Sequence, residues 1–463
     1  MIAPLRLAIA IVIFLAAVGV ALRGGPRALR ALAVLAIVLA PIRGGLLELG
    51  DELALGHPGL TVNALVPALV AALAIGVFVE KRPRLGDLPR PLVIGWGLIA
   101  LAVLLSFPAR AVGLKVYGVG IAQYLVYPTF ALAIWPLLEP GDGRRLSRLI
   151  VGLGALVAVT VLLQAIGIGG FIQAASAQVD GLAANRYAGI TGSYLHTSAF
   201  LGCATVLTLG ELTGLESIAK RLGGTVLLAA IMTGVVLTFS RSGVVISIIG
   251  IGLLFAFAIA GKRVRFAAMV VPAIAVAVAA GAIGGVSPGA AGERVSSGFN
   301  PTHDAGNKLR TESFGKGVDA YREGSLAQKA IGQGAAATGN AQEVVDEGGP
   351  KLTVESYYLK LLVETGLVGL LLVGGYLVWI AFLFARQAWR PPNVWAASVA
   401  AAGLGLSLYN AIYPALETQI LALTWWLLLV LFLWSRAGWE STSRGSEQPS
   451  VTVPAERPPA LAR

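Results

Sequence analysis

Four short segments of this chain set cations, carboxylates, aromatic rings and a histidine among otherwise apolar residues. The first is Thr238-Phe239-Ser240-Arg241-Ser242-Gly243. Its guanidinium can grip two phosphate oxygens through parallel hydrogen bonds, or it can reach lipid headgroups from an apolar stem. The second runs from Asn185 to His196 and offers Arg186, Tyr187, Tyr194 and His196. That mixture suits a polar sugar with a charged leaving group, and equally a solvated loop before a helix. The third is Val354 to Gly366, with Glu355, Tyr357, Tyr358, Lys360 and Glu364. On a helix Glu355 and Tyr358 share a face, and Lys360 with Glu364 stands at the i,i+4 spacing of an ion pair. Glu364 then lies about 13 Å deeper than Glu355, so a structural pairing with Lys360 is expected. Glu355 is either a usable base or an exposed carboxylate near a helix N-terminus. The fourth is a cationic set, Arg294, Lys308, Arg310, Lys316, Arg322 and Lys329, in which most members have an acid nearby.

The elements that must hold these residues are membrane helices. Hydrophobic residues make up 56% and charged residues 13% of the chain, at a mean hydropathy of +0.79. A soluble domain carries about 25% charged residues, so this surface is built for lipid. A span needs about 20 mainly apolar residues. Thirteen stretches qualify, at 5–22, 31–47, 61–79, 91–109, 118–138, 149–168, 195–213, 222–239, 243–260, 267–286, 354–384, 395–414 and 418–435. The fold class expected is an all-α polytopic membrane protein of about 12–13 transmembrane helices.

Basic residues give the stack its direction. Arg23, Arg27 and Arg30; Lys81, Arg82, Arg84 and Arg90; Arg144, Arg145 and Arg148; Lys220 and Arg221; Lys262, Arg263 and Arg265; and Arg386 and Arg390 fall in every second loop. Those loops are cytoplasmic by the positive-inside rule. The four chemical segments therefore all fall at the external end. The expected organisation is helices one to ten over 1–286, an external segment over 287–353, helices eleven to thirteen over 354–435, and a disordered cytoplasmic tail over 436–463. Within the external segment, Lys308 to Ile331 has a loosely helical period, which predicts one or two short helices on the membrane surface.

Several classes are excluded. The net charge of +11 is spread over short cytoplasmic clusters, so no nucleic-acid partner is expected. No phosphate-binding loop of the Walker type occurs, and no His/Cys cluster suits zinc. The acid pairs Asp51-Glu52 and Asp346-Glu347 lack a third ligand nearby, so neither a metal nor another cofactor is expected. The single cysteine, Cys203, forms no internal disulfide.

In order and sidedness, four stretches resemble the superfamily of O-antigen ligases and polymerases. They are Arg186 to Phe200, Thr238 to Gly243, Arg310 to Gly334 with its Ile-Gly-Gln-Gly, and Glu355 to Gly369. The resemblance covers about 200 residues, from the seventh span to the eleventh. It implies a fold like that of GT-C glycosyltransferases and a metal-independent transfer of glycan from undecaprenyl diphosphate, at the outer face of the bacterial plasma membrane. It further implies that Arg241 and Arg310, with Arg186 beside them, bind the diphosphate. Tyr187, Tyr194, Tyr357 and Tyr358 become candidate sugar contacts. Ligases of this superfamily carry a histidine where this chain has Glu355, which shifts the expectation towards a polymerase. The base is then Glu355 or His196. A ligase acting on lipid A-core or protein is the alternative. A polyprenyl-glycan transporter is the alternative of another class, disfavoured because the polar residues gather at one end. Expected partners are the lipid-linked glycan and membrane lipids, with room for a chain-length regulator.

Overall fold

The computed structural model describes residues 2–52, 59–168, 186–213, 217–260, 305–339, 352–389, 391 and 393–445. Those residues are helical throughout their ordered elements and contain no β-strand. Nine helices come first: α1 Ile2–Arg23, α2 Gly25–Glu52, α3 Gly59–Lys81, α4 Arg90–Ser106, α5 Leu114–Ile134, α6 Asp142–Ala165, α7 Tyr194–Leu212, α8 Ile218–Leu237 and α9 Arg241–Ala260. Two helices of the external segment follow, α10 Ala305–Glu323 and α11 Leu326–Ile331. The last four are α12 Tyr357–Gly369, α13 Gly375–Trp389, α14 Val394–Tyr409 and α15 Gln419–Gly445.

Eight helices are long and apolar enough to cross a membrane, and four shorter apolar ones accompany them. Together they account for twelve of the thirteen expected spans, and the chain is an all-α polytopic membrane protein. The tenth expected span, 267–286, lies outside the described residues, as do Arg294, Asp346-Glu347 and the tail from 446. Helix α15 runs on to Gly445, past the tail boundary expected at 435. No proline occurs between Pro414 and Pro449, so the span can continue as helix beyond its apolar part.

Large apolar side chains point outward, as lipid requires. Leu104, Leu222, Val226, Ile248 and Phe382 are all more than 60% exposed. Inside, the helices meet through small residues. Helix α14 packs against α7, α9 and α13, and its run Ala396–Gly403 is buried throughout. A Cβ added at Gly210 of α7 would overlap Ser398 of α14. Such contacts hold membrane helices together because lipid removes the hydrophobic drive between them.

Two departures from the expected spans shape the site. The eleventh span is broken: Gly366 has φ 68° and ψ −171°, and a π-helical turn over Leu370–Gly374 separates α12 from α13. The loop between the last two spans is longer than expected, running from Asn410 to Thr418 instead of 415–417. Asn410 explains it, because its side chain ends α14 at the Leu406 carbonyl and also accepts from the Leu416 N–H.

Candidate functional site

The site is assembled by backbone docking between segments far apart in sequence. Ser198, one turn into α7, receives the Gly243 N–H at 2.9 Å and donates to the Ser240 carbonyl at 3.2 Å. A Cβ at position 243 would overlap Ser198, so glycine is needed there. This clamp fixes the turn between α8 and α9, and Arg241 becomes the first residue of α9. The Tyr187 N–H meets the Leu237 carbonyl on the same turn, which ties in the Arg186 segment. The Arg186 guanidinium lies 4.7 Å from the centre of the Tyr194 ring, a cation–π arrangement.

Helices α10 and α11 dock on α12 around its break. The reversed backbone at Gly366 leaves the Val363 and Glu364 carbonyls without helical partners. They accept instead from Gln333 N–H at 2.9 Å and Gly334 N–H at 3.0 Å. Gly332, at φ 88°, lies so close that a side chain would overlap the Glu364 carbonyl. A side chain at Gly366 would likewise overlap the Ala330 carbonyl. Left-handed backbone and close approach together demand glycine at both positions. The Ile-Gly-Gln-Gly run is thus a docking loop for the broken helix.

Beneath that loop lies a buried ionic cluster. Lys360 and Glu364 pair at 2.6 Å with 3% and 0% of their side chains exposed. Glu364 also accepts from the Tyr124 hydroxyl, the Thr338 hydroxyl and the Thr338 N–H. Lys360 reaches a second carboxylate, Glu417, at 3.5 Å. The expected pair is therefore a triad.

Glu417 opens onto a cavity of about 510 Å³. The cavity is lined by both candidate bases, Glu355 and His196, and by Gln123, Tyr127, Tyr413 and Gln419. Glu355 receives the Arg310 Nε–H at 3.1 Å, and its own N–H donates to the Ser313 hydroxyl at 3.0 Å. Ser356 caps α12, so Glu355 precedes the helix. The expected shared face with Tyr358 is accordingly not formed. The carboxylate is aimed by α10, through Arg310 and Ser313. His196 Nε2 lies 2.9 Å from the Tyr413 hydroxyl. Burial pushes that hydroxyl well above its ordinary pKa, reinforced by Tyr409, Glu417 and Glu355, so it remains a neutral O–H. Tyr413 stacks on Tyr409 at 5.2 Å. Tyr409 in turn stands within electrostatic range of Ser242, Arg310, Glu355 and Tyr194, one residue from each chemical segment.

The other candidates occupy different places. Tyr187 is buried against Val161 and Leu237, and Tyr357 is buried in the main core. Tyr358 faces Gly374, beyond the break at Gly366. The rings that line the cavity are Tyr127 and Tyr413. Of the cationic set, Lys316 and Arg322 are exposed. Sequence reasoning missed Tyr409, Tyr413 and Glu417. Pro414 and Glu417 within an apolar stretch were the available signal for the loop that carries two of them.

Fold and site together define a multi-pass membrane protein whose polar groups gather at one end of a helical bundle, under α10 and α11. Residues 225–374 match the family model described as O-Antigen ligase. The matched segment is thus similar to that family, and it contains the Arg241 turn, the Arg310 helix with its docking loop, and α12. No curated protein matches the chain.

Proposed function

We propose that this protein is a lipid-linked oligosaccharide polymerase working at the external face of the bacterial inner membrane. The donor is a glycan on undecaprenyl diphosphate, and the acceptor is a hydroxyl of the next lipid-linked repeat unit. The observation that carries this reading is the Arg310–Glu355 pair beside a cavity that His196 also lines. One phosphate-binding group and two proton acceptors then serve a single reaction centre.

In the proposed step the acceptor oxygen attacks the anomeric carbon of the donor. The bond from that carbon to the phosphate oxygen breaks, and undecaprenyl diphosphate leaves with the electron pair. Arg310 and Arg241 stabilise the charge that develops on the leaving group, fixed in place before it appears. The acceptor proton passes to Glu355 or His196. A positioned base is typically worth about 10²–10⁴-fold in rate. Guanidinium groups supply the positive charge that a metal ion provides in other phosphate chemistry.

The test is Arg241→Ala in cells, read as the length distribution of surface polysaccharide. Loss of high-molecular-weight polymer is expected, and unchanged polymer would sink the role. A second reading, ligation of finished glycan to lipid A-core or protein, is favoured by the description of the matching family model. The two separate on deletion of the gene. Single capped repeats without long chains support the polymerase, whereas long chains left on their lipid carrier support the ligase.

A further inference from the structure

Helix α10 meets the segment that leads into α12 through Arg310, Ser313 and Gly317, which the i, i+3, i+7 spacing puts on one helical face. Gly317 lies so close to Leu359 that a Cβ would overlap it. The Ser313 hydroxyl donates to the Thr353 carbonyl at 2.8 Å and accepts from the Glu355 N–H at 3.0 Å. Backbone on both sides of Val354 is therefore pinned to α10. The Glu355 side chain then turns back to the same helix and takes the Arg310 Nε–H at 3.1 Å. The two side chains are 34% and 33% exposed, so the pair is open to a ligand.

The direction of this contact decides what it can do. Glu355 meets the guanidinium at Nε, so the donors of Nη1 and Nη2 lie outside the contact. Those donors can form a parallel pair with phosphate oxygens. A guanidinium held this way has its charge in place before a ligand arrives. Taking up a proton would cancel the charge on Glu355 that does the holding. His196 faces no such conflict, because the Tyr413 hydroxyl at its Nε2 is neutral. Resting on the glycosyltransfer reading, we infer that Glu355 is a positioning residue for Arg310: it fixes the guanidinium for the diphosphate, and the acceptor proton goes to the His196 imidazole. Ser313 holds Glu355 in register for that task. The bonds exchanged at the anomeric carbon are those of the proposed step, and no proton passes through Glu355.

The test is binding of farnesyl diphosphate to the purified full-length protein in detergent, paired with transfer from a lipid-linked repeat unit in liposomes. Glu355→Gln and Glu355→Ala remove the same charge, but only glutamine keeps an oxygen for the Arg310 Nε–H. Glu355→Ala is expected to bind the diphosphate about tenfold more weakly than Glu355→Gln, the low end of what loss of an orienting partner costs a metal ligand. In an Arg310→Ala background that difference should vanish. Turnover should follow the same order, with glutamine restoring much of what alanine loses, whereas a lost base would be missing equally from both. Ser313→Ala, which alters no charge, should weaken binding in the same direction. Equal affinity of the glutamine and alanine variants overturns the proposal. So does transfer lost alike in both while they bind the diphosphate as wild type does, because that makes Glu355 the base. A wild-type protein that binds no diphosphate overturns the proposal together with the glycosyltransfer reading. Binding by wild type with a failed Glu355 comparison overturns the proposal alone.

Discussion

Glu364 accepts from Tyr124, Lys360 and twice from Thr338, groups drawn from α5, α12 and the end of the external segment. Removing one member of such a buried set leaves charge without compensation, at a cost of about 3–5 kcal/mol. Lys360→Met strands two carboxylates, whereas Glu364→Gln still leaves Glu417 beside Lys360. Thermal unfolding in detergent should therefore rank Lys360→Met as the more damaging, and the opposite order would refute the triad as a unit. Tyr413→Phe probes the choice of base. If His196 takes the proton, loss of its hydroxyl partner should lower turnover about tenfold or more; an unchanged rate would leave Glu355 as the base. The i,i+4 spacing made Lys360 and Glu364 legible as a pair from sequence. Glu417 and Tyr124 were not legible, because 57 and 240 residues separate them from their partners Lys360 and Glu364.

Helices were readable because each span is a single apolar window, and a window needs no knowledge of its neighbours. The same averaging hid the interruptions. Gly366 lies between Leu361-Leu362-Val363 and the apolar run from Leu367, which outweigh Glu364 and Thr365 in a window average, and Ala411, Ile412 and Tyr413 carried hydropathy across the loop that Asn410 opens. Both interruptions shape the candidate site, one by receiving the docking loop of α11 and the other by carrying Tyr413 and Glu417. Gly366→Ala and Gly332→Ala each put a Cβ into a carbonyl of the other segment. Residues forced into such backbone typically lose about 1–3 kcal/mol, before any overlap is counted. Each substitution should thus lower the unfolding temperature in detergent and reduce polymer formation. Gly315→Ala on α10, where an added Cβ meets nothing within 4 Å, is the matched control. Equal stability of all three would contradict the docking.

For the whole molecule, loop charges and site geometry agree on one axis. The cavity is lined from the ends of α3, α5, α7 and α15 that the charge pattern assigns to the exterior. The gathering of His196, Glu355 and Glu417 into one cavity was beyond sequence, since hydropathy orders helices along the chain but does not say which ones touch. Sidedness is testable with single cysteines in a Cys203→Ala background. A membrane-impermeant maleimide applied to spheroplasts should label Ser325→Cys, at the cap of α11, and spare Gly86→Cys, in the loop after α3. The reverse pattern would invert the topology and overturn the proposed external site. Chelation by EDTA is expected to leave transfer intact, because the charge on the leaving group is met by arginines. Loss of transfer, restored by a divalent cation, would replace that account.

The docking loop also bears on how the protein is made. Gln333 and Gly334 leave the ribosome about 30 residues before Val363 and Glu364, whose carbonyls they satisfy. An open carbonyl in hydrocarbon costs several kcal/mol, and here its two partners are translated ahead of it. The order of synthesis therefore predicts that this loop assists the insertion of α12. Deleting residues 332–334 should leave α12 poorly inserted even though its own sequence is intact, a defect that a glycosylation-mapping or protease-protection assay on nascent chains would detect.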